Sequence, residues 1–145
     1  MVADRIAGMN VQGKQRVFVV DDESMIANTL AVILNSHGFD AVAFTDPLEA
    51  LYAAEVHCPD LLLTDVMMPQ LSGVDLGVQF KAIHPTCKVL LFSGAPKTAE
   101  LVENAKAGGH TFDLLSKPVH PRDLIATIVA MTENGEQGTG NRVSC

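Results

Sequence analysis

Short apolar runs alternate five times along the chain with longer segments in which apolar residues recur three or four positions apart. The first pattern is typical of buried strands and the second of one face of a helix. Runs that are apolar throughout favour parallel strands covered on both faces. The five predicted strands are 17–20, 39–44, 61–63, 89–92 and 112–115.

A predicted helix follows each strand, and several helices begin at recognisable capping residues. Asp46 precedes Pro47, a pair typical of an N-cap and a first helical position. Ser72-Gly73 opens the third helix and Pro121 the fifth. Five strand–helix units are too few for an eight-stranded barrel, so the sequence predicts an α/β fold with an open, doubly wound sheet.

The whole chain of 145 residues suits one domain. Residues 15–131 contain all the periodic segments, whereas 1–14 and 132–145 are polar or contain glycine and are predicted to be flexible. The few residues that follow the last predicted helix leave no room for a helix-turn-helix. We therefore expect the output of this chain to be a surface.

Composition and charge argue against several classes of partner and of structural site. With 17 acidic and 10 basic residues, the net charge is −7, which argues against nucleic acid or an anionic membrane. No apolar run approaches about 18 residues, so no transmembrane helix is predicted. The three cysteines are odd in number and lack CxxC spacing, which argues against a zinc site or a disulfide framework and favours the cytoplasm.

Polar side chains follow four of the predicted strands. Asp21-Asp22 follows the first strand, Asp65 the third, Ser93 the fourth and Lys117 the fifth. Because functional sites in open α/β sheets lie outside the carboxyl ends of the strands, we expect these side chains to share one pocket.

Three carboxylates in one pocket repel one another unless a cation lies between them. Magnesium prefers carboxylate oxygens and keeps waters that phosphate oxygens can replace. A lysine adds a positive charge for a phosphoryl group, and a carboxylate can act as the nucleophile. The predicted chemistry is therefore the formation of an aspartyl phosphate with Mg²⁺ as cofactor.

These residues together resemble the receiver domain of two-component response regulators, over about residues 15–131. The resemblance implies a flavodoxin-like sheet with strand order 2-1-3-4-5 and five helices. It depends on four short segments: Asp21-Asp22, Asp65-Val66-Met67-Met68-Pro69 with Ser72-Gly73, Ser93-Gly94 and Lys117-Pro118.

The resemblance also implies a role for each acidic residue. Asp65 would accept a phosphoryl group from a sensor histidine kinase or a histidine phosphotransfer protein. Asp21, Asp22 and Asp65 would bind Mg²⁺ through their carboxylates, with Asp21 acting directly or through water. The backbone carbonyl of Met67 would complete the metal site.

Ser93 and Lys117 would contact the phosphoryl group, and Pro118 would follow a cis peptide bond. Ser93 would also move toward the phosphoryl group as part of the switch. The family usually has an aromatic residue three positions before the lysine, where this chain has Leu114. We therefore expect a weaker switch, or one that reaches the surface by another route.

The partner that reads the switch would be a downstream protein, or a second copy of the chain paired through the last two helices and strand five. The chain would act on no external metabolite and would catalyse only its own phosphorylation and slow dephosphorylation. Two alternatives stay open. A small-molecule phosphatase would usually have an acid where this chain has Met67, and a non-phosphorylated binding domain would not need the complete set of site residues.

Overall fold

The computed structural model describes residues 13–94, 98–109 and 112–135. Most of the predicted N-terminal extension, and the C-terminal residues from 136 onward, lie outside this range. Strands and helices alternate as predicted. The strands are β1 Arg16–Val20, β2 Asp40–Phe44, β3 Leu61–Asp65, β4 Lys88–Ser93 and β5 Asp113–Ser116. The helices are α1 Ser24–Ser36, α2 Pro47–Val56, α3 Gly73–Ile83, α4 Thr98–Ala107 and α5 Pro121–Gly135.

The five strands form one parallel sheet in the order β2-β1-β3-β4-β5, which confirms the fold and the strand order. Its register aligns the carboxyl ends of neighbouring strands. Asp65 is paired with Phe92, and Ser93 with Ser116. Residues that follow β1, β3, β4 and β5 are thereby brought to one edge of the sheet.

Each face of the sheet has its own apolar core. One core joins the sheet to α1 and α5 and includes Leu34, Leu63 and Ile128. The other joins the opposite face to α2, α3 and α4 and includes Phe18 and Phe80. Burial on both faces explains why most of each central strand is a continuous run of apolar residues, as in 17–20, 61–63 and 89–92.

Two of the predicted helix N-caps are present in the structure. The Asp46 carboxylate accepts a hydrogen bond from the backbone N–H of Leu48 at 2.9 Å, and the Ser72 hydroxyl accepts one from Asp75 at 3.1 Å. Each contact satisfies a backbone donor that the first turn of a helix leaves without a partner.

Each observed strand differs from its predicted range by one or two residues at one or both ends. Two of the differences in boundary, at the fifth strand and the last helix, involve side chains that the structure buries. The fifth strand begins at Asp113, because Phe112 turns into the second core against Gly77 in α3. The last helix continues to Gly135, so the tail predicted from residue 132 begins inside it. Thr132 is buried there, and its hydroxyl donates to the carbonyl of Ile128 at 2.9 Å. A polar residue satisfied in this way does not end a helix.

The bonding state of the cysteines was predicted correctly only in part. Cys87 is a buried free thiol, and burial raises its pKa to about 12. Cys58, in contrast, is disulfide-bonded, contrary to the expectation. Cysteine count and spacing do not show which thiols a fold brings together. Among the residues described, no helix combines the length and the apolar character needed to cross a membrane.

Candidate functional site

Three carboxylates meet at the carboxyl edge of the sheet. Asp21 and Asp22 follow β1 directly, and Asp65 is the last residue of β3. One oxygen from each lies within 4.8 Å of the other two. Asp21 and Asp65 are buried while Asp22 is exposed, so the cluster is open to solvent on one side.

Lys117 bridges the two buried carboxylates. Its Nζ atom lies 3.5 Å from Asp21 Oδ2 and 3.5 Å from Asp65 Oδ1. The ammonium is also 5.0 Å from the centre of the Phe92 ring, within reach of a cation–π attraction. Its backbone N–H donates to the Ser93 carbonyl at 3.0 Å, and its peptide bond to Pro118 is cis, as the resemblance implies.

The backbone N–H of Asp21 has a hydrogen-bond partner, but only one of its two carboxylate oxygens accepts a hydrogen bond from the part of the chain that the structure describes. Its N–H donates to the carbonyl of Phe44 at 3.1 Å, and its Oδ1 accepts from the N–H of Glu23 at 2.9 Å. Its Oδ2 is buried and has no hydrogen-bond donor among the described residues. A buried polar atom without such a bond is costly, and a divalent cation would satisfy it. The donor set therefore fits Mg²⁺.

Burial raises the pKa of both buried carboxyls. For Asp21, desolvation is the largest cause, and the charge of Asp65 raises the pKa further. For Asp65, desolvation again dominates and the neighbouring charge of Lys117 opposes it. One lysine therefore does not balance the cost of burying two carboxylates. A bound divalent cation would favour the ionised form of all three acids.

The raised pKa values predict the pH dependence of stability in metal-free buffer. The folded chain keeps protons on Asp21 and Asp65 at pH values where the unfolded chain has released them. The free energy of unfolding should therefore fall as pH rises from 3.8, the ordinary pKa of an aspartate, through the raised values. Urea denaturation across this pH range measures the slope.

Asp21→Asn should show a shallower slope than the wild type because it removes one of these protons. Asp123→Asn, which neutralises an exposed carboxylate at the start of α5, is the matched control and should keep the wild-type slope. Equal slopes for Asp21→Asn and Asp123→Asn would contradict the prediction.

The loop from β3 to α3 folds tightly against the end of β3. The N–H of Gly73 donates to the carbonyl of Val66 at 2.8 Å, and the N–H of Val66 donates to the carbonyl of Phe92 at 3.2 Å. A Cβ atom on Gly73 would lie 2.9 Å from the carbonyl carbon of Asp65 and from the Cα of Val66. This close approach was not predicted, although Gly73 belongs to the motif.

The structure places the remaining predicted residues at or near the same edge. Ser93, at the end of β4, is buried, and the side chain of Met67, in the loop after β3, is about half exposed. Leu114 lies on β5, is 40% exposed and lines a groove between β5 and α5. The metal-ligand role of the Met67 carbonyl and the switch roles of Ser93 and Leu114 stay predictions.

The strand order defines a flavodoxin-like fold, and its carboxyl edge holds an acidic cluster with a lysine. A family model described as "Response regulator receiver domain" matches residues 17–129. The chain therefore belongs to the receiver domain family of two-component systems.

The chain is similar to curated response regulators along nearly all of its own length. It is 28% identical over 131 residues to the DNA-binding response regulator MtrA of Mycobacterium tuberculosis, which covers 90% of this chain and 56% of that protein. It is 31% identical over 115 residues to the transcriptional regulatory protein CreB of Escherichia coli, covering 79% and 49%. The chain thus spans about half the length of the curated relatives it matches.

Solved receiver domains share the fold. A receiver domain protein from Clostridium thermocellum has a TM-score of 0.75 at 29% identity, covering 83% of this chain and 95% of that one. A CheY-like receiver domain protein from Methanospirillum hungatei has a TM-score of 0.78 at 24% identity, covering 88% and 100%. These matches agree with the family assignment.

Removing one exposed acid tests the candidate metal site. At a Mg²⁺ concentration of 100 times the dissociation constant, the wild type should gain about 2.7 kcal/mol in its free energy of unfolding. Asp22→Asn should lose most of that gain, because it removes one carboxylate of the cluster. Urea denaturation with and without MgCl₂ measures both values.

Glu23→Gln is the matched control, since it neutralises the next exposed acid in the same loop and keeps the backbone donor to Asp21. It should retain most of the Mg²⁺ effect. Equal loss in the two variants would indicate a general effect of charge rather than coordination.

Proposed function

We propose that this chain is a phosphorylation-activated switch of a two-component system or phosphorelay. Asp65 accepts the phosphoryl group from a sensor histidine kinase or a histidine phosphotransfer protein. The observation that supports this most is the position of the Asp65 carboxylate. It ends a central strand, lies 3.5 Å from the Lys117 ammonium and belongs to a cluster of three acids.

The transfer is a nucleophilic displacement at phosphorus. An Asp65 carboxylate oxygen forms the new O–P bond while the P–N bond to the donor histidine breaks. The electron pair of that bond returns to the imidazole ring, which takes up a proton. Catalysis of such a step requires mainly positioning and charge neutralisation, which the sheet edge and Lys117 supply.

Magnesium, when bound, supplies further neutralisation of the phosphoryl oxygens, and Asp21, Asp22, Asp65 and the Met67 carbonyl would hold it. Lys117 already faces the phosphoacceptor and would pair with a phosphoryl oxygen after transfer. The hydroxyl of Ser93, at the end of the neighbouring strand, would donate to the same group.

Phosphorylation converts the singly charged Asp65 carboxylate into an acyl phosphate with about two negative charges, which would bias a surface between two states. We propose that the signal passes through Ser93 and the β5 region that contains Leu114. The groove between β5 and α5, lined in part by Leu114, Ala130 and Met131, would then contact a downstream protein or a second copy of the chain. The net charge of −7 supports a protein rather than nucleic acid as the direct partner.

We also propose a cytoplasmic location, because phosphohistidine donors are formed from ATP. The chain would catalyse only its own phosphorylation and slow dephosphorylation. This restricted activity would distinguish the chain from a phosphatase, which hydrolyses many molecules of a small phosphate ester.

Intact mass after incubation with acetyl phosphate tests the proposal. The wild type should gain one phosphoryl group in the presence of Mg²⁺, gain none without it and lose the group in mild base. Absence of an adduct together with absence of Mg²⁺ binding would contradict the switch and favour a receiver-shaped binding domain. Multiple turnover of small phosphate esters would instead support the phosphatase.

A further inference from the structure

Helix α2 is apolar on two opposite faces. One face packs into the second core and is buried. The other projects into solvent and contains three large apolar side chains spaced four residues apart, which we call the α2 stripe. Its members are Leu48, Tyr52 and Val56, which are 54%, 74% and 72% exposed.

The α2 stripe occupies the centre of the solvent face. At 3.6 residues per turn, Tyr52 points about 170° away from the mean direction of the buried residues Pro47, Ala50 and Ala54. Glu49 and Glu55 are exposed and lie about 60° to either side of Tyr52. The outer face is therefore an apolar line with an acidic residue on each flank.

Folding alone does not account for this arrangement. A helix that covers a sheet usually has charged or polar residues on its outer face. Single exposed apolar residues are ordinary, but contiguous ones mark interaction sites. Tyrosine in particular is enriched where proteins bind one another.

We propose that the α2 stripe docks an amphipathic helix of a partner protein, with apolar residues three or four apart and lysine or arginine on its flanks. Apolar residues spaced four positions apart form a ridge on the helix surface, and such a ridge can pack into the groove of a second helix. The charge pattern selects the partner, because both flanks are acidic and α2 contains no basic residue. This surface uses none of the residues proposed for phosphoryl transfer.

A second copy of the chain would satisfy this surface poorly. Pairing α2 with itself would place glutamates against glutamates on both flanks, with no basic residue in either helix to balance them. Like charges that face each other across an interface repel and lower the affinity of the two surfaces. The acidic flanks therefore favour a basic helix over self-association through α2.

The test is a selection from a displayed library of helical peptides about 15 residues long, with random side chains, on the full chain. Enriched peptides should be basic and have apolar residues three or four apart. Their dissociation constants are then measured by fluorescence anisotropy. Tyr52→Gln should weaken binding at least about tenfold, and the double variant Glu49→Lys, Glu55→Lys at least about fivefold.

Val32→Gln is the matched control, because Val32 is an apolar residue of α1 that is 66% exposed. It should leave the affinity unchanged, and Tyr52→Gln should keep wild-type phosphorylation by acetyl phosphate. The proposal is overturned if no peptide is enriched, if acidic peptides dominate, or if Tyr52→Gln and Val32→Gln bind alike. A dimer seen by sedimentation equilibrium and lost in Tyr52→Gln would overturn it in favour of a second copy.

Discussion

Asp65→Asn is expected to take up no phosphoryl group from acetyl phosphate under conditions in which the wild type gains one. The substitution keeps the shape of the side chain but removes the anionic oxygen that would attack phosphorus. The remaining pair of Lys117 and Asp21, 3.5 Å apart, should keep the lysine near the site. Intact mass measured over a time course with Mg²⁺ gives the result directly.

Asp75→Asn is the matched control for this experiment. Asp75 is an exposed acid in the first turn of α3, a short distance along the chain from Asp65 and outside the acidic cluster. It should be phosphorylated like the wild type. An adduct on Asp65→Asn at the wild-type level would show that another residue is the acceptor.

Gly73→Ala should have the largest effect on stability. A Cβ at this position would approach the backbone of Asp65 and Val66, at 2.9 Å from two atoms that cannot move as a side chain can. We expect the free energy of unfolding to fall by about 2–4 kcal/mol, more than any gain in helix propensity offsets. Urea denaturation followed by circular dichroism measures the change.

Gly108→Ala provides the control for the glycine substitution itself. The added Cβ would lie 3.5 Å from the carbonyl of Ala105, an ordinary contact, and should change stability little. If Gly73→Ala were as stable as Gly108→Ala, the loop after β3 would have room that the structure does not show.

The periodicity of the sequence was sufficient to predict the alternation of strands and helices. Uninterrupted apolar runs such as 61–63 can be recognised directly as strands, because burial on both faces favours apolar residues at consecutive positions. The sequence also predicted that Asp21, Asp65 and Lys117 come together, since each follows or ends a strand and the carboxyl ends of parallel strands share one edge. The strand order required the resemblance, because periodicity does not say which strands are neighbours.

Other features depend on contacts that no local pattern contains. Phe112 is an apolar residue near the Leu114-Leu115 pair in the sequence pattern, but in the structure it packs against Gly77 of α3 and lies just outside β5. The last helix passes the predicted boundary, and Thr132 is buried inside it with its hydroxyl bonded to a backbone carbonyl of the same helix. The outer face of α2 was not singled out either, since an apolar residue in a helix is ordinarily assigned to the core.

The fit between Gly77 and Phe112 has a consequence for the divergence of this sequence from its relatives. A Cβ on Gly77 would lie 3.0 Å from Val89 Cγ1 and 3.2 Å from the Phe112 ring, so α3 and the entry to β5 are in close contact. A larger residue at position 77 requires that Val89 and Phe112 give way or become smaller. In an alignment of descendants of a common ancestor, position 77 should therefore change together with positions 89 and 112, although the three lie on or beside different elements.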